Sequence, residues 1–142
     1  MEKLKTRRIL GITVLAFMMT FFTMSSVFAT NDNIDYRFRI GINKNYSQET
    51  DGRFRQTLNP KNPWKVKLET SQEGKGTITT FWLADQLFGV VSYYRDAKQG
   101  AGAYYTEAMP EASNKMVYLT GQNNNWSSVA YIVEGKWDEE TW

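Results

Sequence analysis

From Ile34 to Ile42 every second residue is apolar: Ile34, Tyr36, Phe38, Ile40 and Ile42 alternate with Asp35, Arg37, Arg39 and Gly41. A period of two places the five apolar side chains on one face, so this segment predicts a half-buried β-strand. Trp64, Val66 and Leu68 alternate with Lys65, Lys67 and Glu69 in the same way, and Thr77 to Leu83 is rich in Thr, Phe and Trp. The turn residues Glu73-Gly74-Lys75-Gly76 between them predict a hairpin. Further strands are expected at Phe88 to Arg95, Gly102 to Thr106, Met116 to Thr120 and Val129 to Glu134. Only Glu107 to Lys115 invites a helix, and Pro110 limits it to a short one. About seven short strands at this spacing predict an all-β fold, a single antiparallel β-sandwich or open barrel.

Between these segments, Asn43 to Gly52 is polar and reads as a loop, and Leu58 to Pro63 should hold the chain extended before the second strand. The run Gly100-Ala101-Gly102-Ala103 lacks side-chain bulk, so a ligand or another backbone could approach closely there. The plainer reading is that a Trp or Tyr of a facing sheet packs over it.

The apolar stretch before Thr30 has a different character. Lys3, Lys5, Arg7 and Arg8 precede the apolar residues Ile9 to Phe22, and Val27-Phe28-Ala29 ends in a small residue. This is the layout of a cleaved secretory signal peptide, dividing the chain into a signal at 1–29 and a secreted β-domain at 30–142. The run from Ile9 to Asn31 is uncharged over 23 residues, long enough to stay as a membrane anchor. Thr20, Thr23, Ser25 and Ser26 dilute it and favour cleavage, so contact with a membrane is expected only during export.

Cleavage changes the charge. Of 17 Lys and Arg, four fall in the signal, against one of 15 Asp and Glu, which leaves 13 against 14 and a net charge of −1. The pI near 8.8 is thus largely a property of the signal, and a nucleic-acid partner is not expected. Residues 30–67 nevertheless carry +4 and residues 68–142 carry −5. Such polarity either steers an anionic partner to the first third or pairs the two parts within one domain.

The chain contains no cysteine and no histidine. That removes disulfides, lipid attachment through a cysteine, thiolate and serine-triad nucleophiles and most transition-metal sites. No cofactor is expected. Carboxylate chemistry remains, with Asp85, Asp96, Glu107, Glu111, Glu134 and Asp138-Glu139-Glu140 as candidates for a glycoside hydrolase, but no spacing selects a pair. Gly74-Lys75-Gly76-Thr77 lacks the first glycine of a phosphate loop and reads as a turn. Asn31, Asp32, Asn33 and Asp35 offer oxygen ligands for calcium without the glycine of a calcium loop, so no metal is assigned.

The segments Arg53-Phe54-Arg55-Gln56-Thr57, Asn62-Pro63-Trp64-Lys65-Val66, Glu73-Gly74-Lys75-Gly76-Thr77, Asn123-Asn124-Asn125 and Gly135 to Thr141 resemble the pattern of a family of small exported proteins of Gram-positive bacteria, a domain of unknown function. The resemblance covers most of Asp35 to Thr141 and implies no activity. More distantly, a signal peptide followed by a small cysteine-free β-domain is similar in architecture to lactococcin-like bacteriocins, β-sandwiches that act at the cell envelope. Histidines of the family near its middle strand have no counterpart here.

Export, aromatic richness and poverty of catalytic groups together predict a secreted, non-catalytic domain that binds a cell-envelope component or surface protein, as a bacteriocin-like effector. Arg37, Arg39, Arg53, Arg55, Lys65 and Lys67 are the candidates for anionic groups, because guanidinium and ammonium groups pair with phosphate and carboxylate. Trp126 and Trp142 are the candidate exposed aromatic contacts. Four of the cations lie on the polar faces of the two clearest strands, where ordinary solvation would also place them. Two alternatives stand beside this one: a glycan-binding module using its Tyr and Trp rings, and a carboxylate-based glycoside hydrolase.

Overall fold

The computed structural model describes residues 32–141. Residues 1–31, where a signal peptide was expected, and Trp142 lie outside the described residues. Among the described residues nine strands follow one another: β1 (Ile34–Ile40), β2 (Ser47–Gln48), β3 (Arg53–Arg55), β4 (Trp64–Ser71), β5 (Ile78–Ala84), β6 (Arg95–Lys98), β7 (Tyr104–Thr106), β8 (Lys115–Asn123) and β9 (Tyr131–Asp138). Among the described residues the only helical element is the single 3-10 turn Pro110–Ala112, as short as Pro110 dictates. Four strands form one antiparallel sheet in the order β1-β9-β4-β7. The second sheet runs β2-β8-β5-β6, with β3 also on β8, and the two do not close into a barrel.

The core lies between the sheets. Tyr36 and Ile40 of β1, Trp64, Val66 and Leu68 of β4, and Val133 and Trp137 of β9 meet Phe81, Leu83, Ala97, Val117 and Leu119 of the other sheet. The ring centroid of Tyr36 is 5.7 Å from that of Phe81, edge to face, and the Tyr131 hydroxyl hydrogen-bonds Thr79 Oγ1 at 3.2 Å. The period of two in β1 therefore does what it predicts, although Ile34 and Ile42 at its ends stay partly in solvent. Gly135 is required by packing: a Cβ there would stand 1.9 Å from the Lys67 carbonyl oxygen and 2.8 Å from the Tyr36 hydroxyl. Opposite it the register of β4 shifts between Leu68 and Thr70.

Several local expectations are corrected. β4 and β5 do not form a hairpin: β4 pairs with β9 and β7, β5 with β8 and β6, and Glu73 to Gly76 arches between the sheets. Gly74 (φ +127°) and Gly76 (φ +77°) supply the same turn chemistry either way, and distant pairing decides the partner. Phe88 to Arg95 holds only two isolated bridges, Ala84 with Val90 and Ser92 with Ala108, before β6 begins. The Gly100 to Ala103 run receives no ring, since nothing lies within 4 Å of a Cβ built at Gly100 or Gly102. Gly100 is there for its φ of +78°. The expected loop Asn43 to Gly52 contributes β2, which with β3 makes one interrupted edge on β8, joined by a bond from Glu49 N to the Leu119 carbonyl (2.8 Å).

Candidate functional site

Five of the six basic residues expected to meet a ligand are enclosed or paired among the described residues. The C-terminal stretch after β9 crosses the segment between β3 and β4, where Thr141 donates from N (2.7 Å) and Oγ1 (2.9 Å) to the Pro63 carbonyl. The Glu140 carboxylate accepts from Gln56 N (3.1 Å) and Thr57 N (2.7 Å). Arg55 is fully buried beneath this strap and donates to the carbonyls of Glu139 (2.6 Å), Asn59 (3.1 Å) and Asn62 (2.6 Å). Arg53 is bridged to Glu139 and, at 3.1 Å, to Asp32. A charge enclosed like that of Arg55 needs its partners for the fold itself, so Arg55 is not presented to solvent as expected, while Arg53 stays partly exposed but is held by its carboxylates.

Lys65 is corrected too. Its alternation puts it on the outer side of β4, but it is 6% exposed, lies 3.9 Å from Asp138 and sits over the Tyr105 ring at 5.9 Å. Burial pushes the Asp138 carboxyl up to about 7; Glu139 and Asp32 add to the rise, and a bond from Glu140 N and the Lys65 charge oppose it. Asp138 Oδ2 has no hydrogen-bond partner among the described residues. With its side chain wholly enclosed, Asp138 has no path to an external substrate. The segments 53–57, 62–66 and 135–141 thus meet in one buried polar network.

The outer face of the four-stranded sheet holds the other cations. Arg37 pairs with Glu134 at 2.6 Å, Lys67 with Glu69 at 2.8 Å and Lys136 with Asp35 at 2.5 Å. Arg39 is exposed and has no ion pair among the described residues. Trp126 is 77% exposed, with Lys44 Nζ 5.5 Å from its ring centroid. Trp142 lies outside the described residues.

The outer face of the five-stranded sheet is aromatic at its centre. Phe81 and Leu83 turn inward, so Thr80, Trp82 and Ala84 turn outward. Trp82 is nonetheless only 4% exposed, with the rings of Tyr46 and Tyr94, exposed by 53 and 57%, against it and Phe88, exposed by 52%, against Tyr46. Its ring centroid is 6.0 Å from Tyr46 and 5.0 Å from Tyr94, and Tyr46 is 5.9 Å from Phe88. Phe88 stands at φ +64° in a turn held by Asp85, whose Oδ1 accepts from Leu87 N and Gly89 N, both at 2.9 Å. A bulky residue in that region of backbone space is strained by about 1 kcal/mol or more, a cost found most often at binding and catalytic positions.

One row along the strands the same face becomes polar. Thr80 Oγ1 donates to Asp96 Oδ1 (2.6 Å), Asn124 Nδ2 donates to Asp96 Oδ2 (3.2 Å), and Gln122 lies opposite Thr80 in the register. Half-exposed rings beside convergent donors and acceptors form a surface on which a sugar ring can stack while its hydroxyls bond at the edge. Nothing in the alternation around β1 or β4 points here. The available signal is Phe81-Trp82-Leu83, three large apolar residues in a row, which requires cover on both faces of β5.

Over residues 24–141 the chain matches the family described as a protein of unknown function, DUF2712. The chain belongs to that family. Neither a curated protein nor a solved structure matches it. DUF2712 carries no catalytic assignment, and the aromatic face described above lies wholly within the matched residues of this member.

Proposed function

We propose that this DUF2712 chain is an exported, non-catalytic β-sandwich that binds a polysaccharide of the bacterial cell envelope through the outer face of its five-stranded sheet. The observation that carries this reading is Trp82, held as a floor beneath the half-exposed rings of Tyr46 and Tyr94, one row from the Thr80–Asp96–Asn124 cluster. Aromatic rings bind sugars through their apolar faces, and the neighbouring carboxylate, amide and hydroxyl give the hydroxyls fixed partners. Export is supported by the basic, apolar and small-residue order of 1–29.

Enclosure of Arg55 and Lys65 and pairing of Arg53 with Glu139 and Asp32 reduce the cationic surface on which an envelope effector was expected to act, which favours a contact at the aromatic face. A bacteriocin-like consequence of binding rests on the likeness of architecture and is read by growth inhibition of related bacteria. The direct test is co-sedimentation of the protein released by producing cells with purified cell walls. Retention that is lost in Tyr94→Ala supports the reading; a protein that stays in the supernatant, or that never leaves the cell, overturns it.

A further inference from the structure

At the end of β1, Arg39, Gly41, Ile42, Asn45, Ser47 and Ala130 line an open cleft of about 370 Å³. Gly41 shapes it, because a Cβ there would stand 2.7 Å from the Asn45 carbonyl oxygen, so only glycine lets the loop fold so close. Asn43 and Lys44 follow at φ +51° and +59°, and the loop is pinned by a 2.7 Å bond from Asn43 N to the Ser127 carbonyl. Lys44 lies over the ring of Trp126.

The charges on this side of the molecule select what the cleft can hold. On the outer face of the four-stranded sheet, Arg37, Lys67 and Lys136 are each neutralised by a carboxylate, whereas Arg39 has no ion pair among the described residues. An exposed guanidinium facing a cleft, with Lys44 in the bordering loop and no acidic residue in the lining, favours a negatively charged occupant. The cleft also adjoins the aromatic face: Asn45 and Ser47 line it, and Tyr46 between them turns its ring to Trp82.

We propose that this cleft is an anion subsite in which Arg39 receives a phosphate or carboxylate group borne by the polymer that stacks on Tyr46 and Tyr94. The polymer itself rests on the function proposed above; the subsite makes it an acidic glycopolymer.

The test is an NMR titration of the purified protein with inorganic phosphate and, separately, with glucuronate, against chloride at equal ionic strength. Saturable shifts at the Gly41, Asn45 and Ser47 amides and at Arg39 Nε are expected, with binding about tenfold weaker in Arg39→Gln. A response to phosphate alone assigns a phosphate-bearing polymer, and one to glucuronate alone a uronate polymer. Absence of saturable shifts with both anions, or equal affinity in Arg39→Gln with the rest of its spectrum unchanged, overturns the subsite. A neutral oligosaccharide titrated alongside reports on Tyr46 and Tyr94 independently, so its failure removes the glycan reading without touching the anion result.

Discussion

Trp82 of β5 and Tyr94, the residue just before β6, face each other with ring centroids 5.0 Å apart and planes inclined by 67°. Edge-to-face packing of this kind contributes about 0.5 to 1.5 kcal/mol beyond area burial. The pair separates two roles that one aromatic residue cannot hold together: Trp82 is buried and supports, whereas Tyr94 is half exposed and available. Tyr94→Ala should therefore weaken polysaccharide binding about tenfold and lower stability by only about 1 kcal/mol. Trp82→Ala should cost about 3 kcal/mol or more in urea unfolding. Equal losses of stability in the two variants would contradict this division.

Arg55 is held by three backbone carbonyls under the Glu140 strap. Its removal leaves those acceptors and the nearby carboxylates uncompensated, so Arg55→Ala should destabilise the fold by about 3 to 5 kcal/mol. Arg39→Ala, which breaks no ion pair among the described residues, should stay within about 0.5 kcal/mol of the parent. The comparison is read from urea midpoints at constant slope.

Asp138 makes stability depend on pH in a stated direction. Its carboxyl is raised from 3.8 to about 7 in the folded chain, first by burial, so the folded state holds a proton that the unfolded state releases. This contribution is complete below about pH 4, declines as pH rises, and is lost above about 7. The slope is at most about 1.4 kcal/mol per pH unit. Asp138→Asn removes the titration, and its stability relative to the parent should rise steadily between pH 4.5 and 7.5. A difference that stays flat across that range would refute the assignment.

Two glycines give opposite expectations. At Gly135 a Cβ would meet the Lys67 carbonyl oxygen at 1.9 Å, and only backbone movement relieves it. Gly135→Ala should thus cost about 3 kcal/mol or more, by opening the β4–β9 ladder. Nothing lies within 4 Å of a Cβ at Gly102, and its φ is not left-handed. Gly102→Ala should be neutral or stabilise by up to about 1 kcal/mol through the unfolded chain. Thermal unfolding of both variants checks the order.

The sandwich was legible because β1 and β4 carry a strict period of two, and one solvated face imposes that period. β5 was legible as a strand but not in its pairing. Turns rich in glycine look alike whether they close a hairpin or arch between sheets, and the choice lies in contacts with β8 and β9 far along the chain. β2 and β3 were hidden because two or three residues cannot display a period; β8 makes them strands.

The candidate site was less legible. Lys65 and Arg53 look like solvated charges until Asp138 and Glu139, more than seventy residues later, fold against them. Tyr46 comes from a loop-like segment and reaches Trp82 only because β2 pairs with β8. Arg39 reads in the sequence as a cation on a polar face, and only the structure shows that it forms no ion pair among the described residues while three of its neighbours do.

The central claim is that the outer face of the five-stranded sheet binds a sugar polymer. Its most direct measurement is an NMR titration of the purified protein with soluble oligosaccharides released from bacterial cell walls. The account predicts saturable shifts confined to Tyr46, Thr80, Trp82, Tyr94, Asp96, Gln122 and Asn124, with the cleft at Arg39 joining only for acidic fragments. Saturable shifts elsewhere with this face unmoved, or no shifts with any fragment, would contradict it.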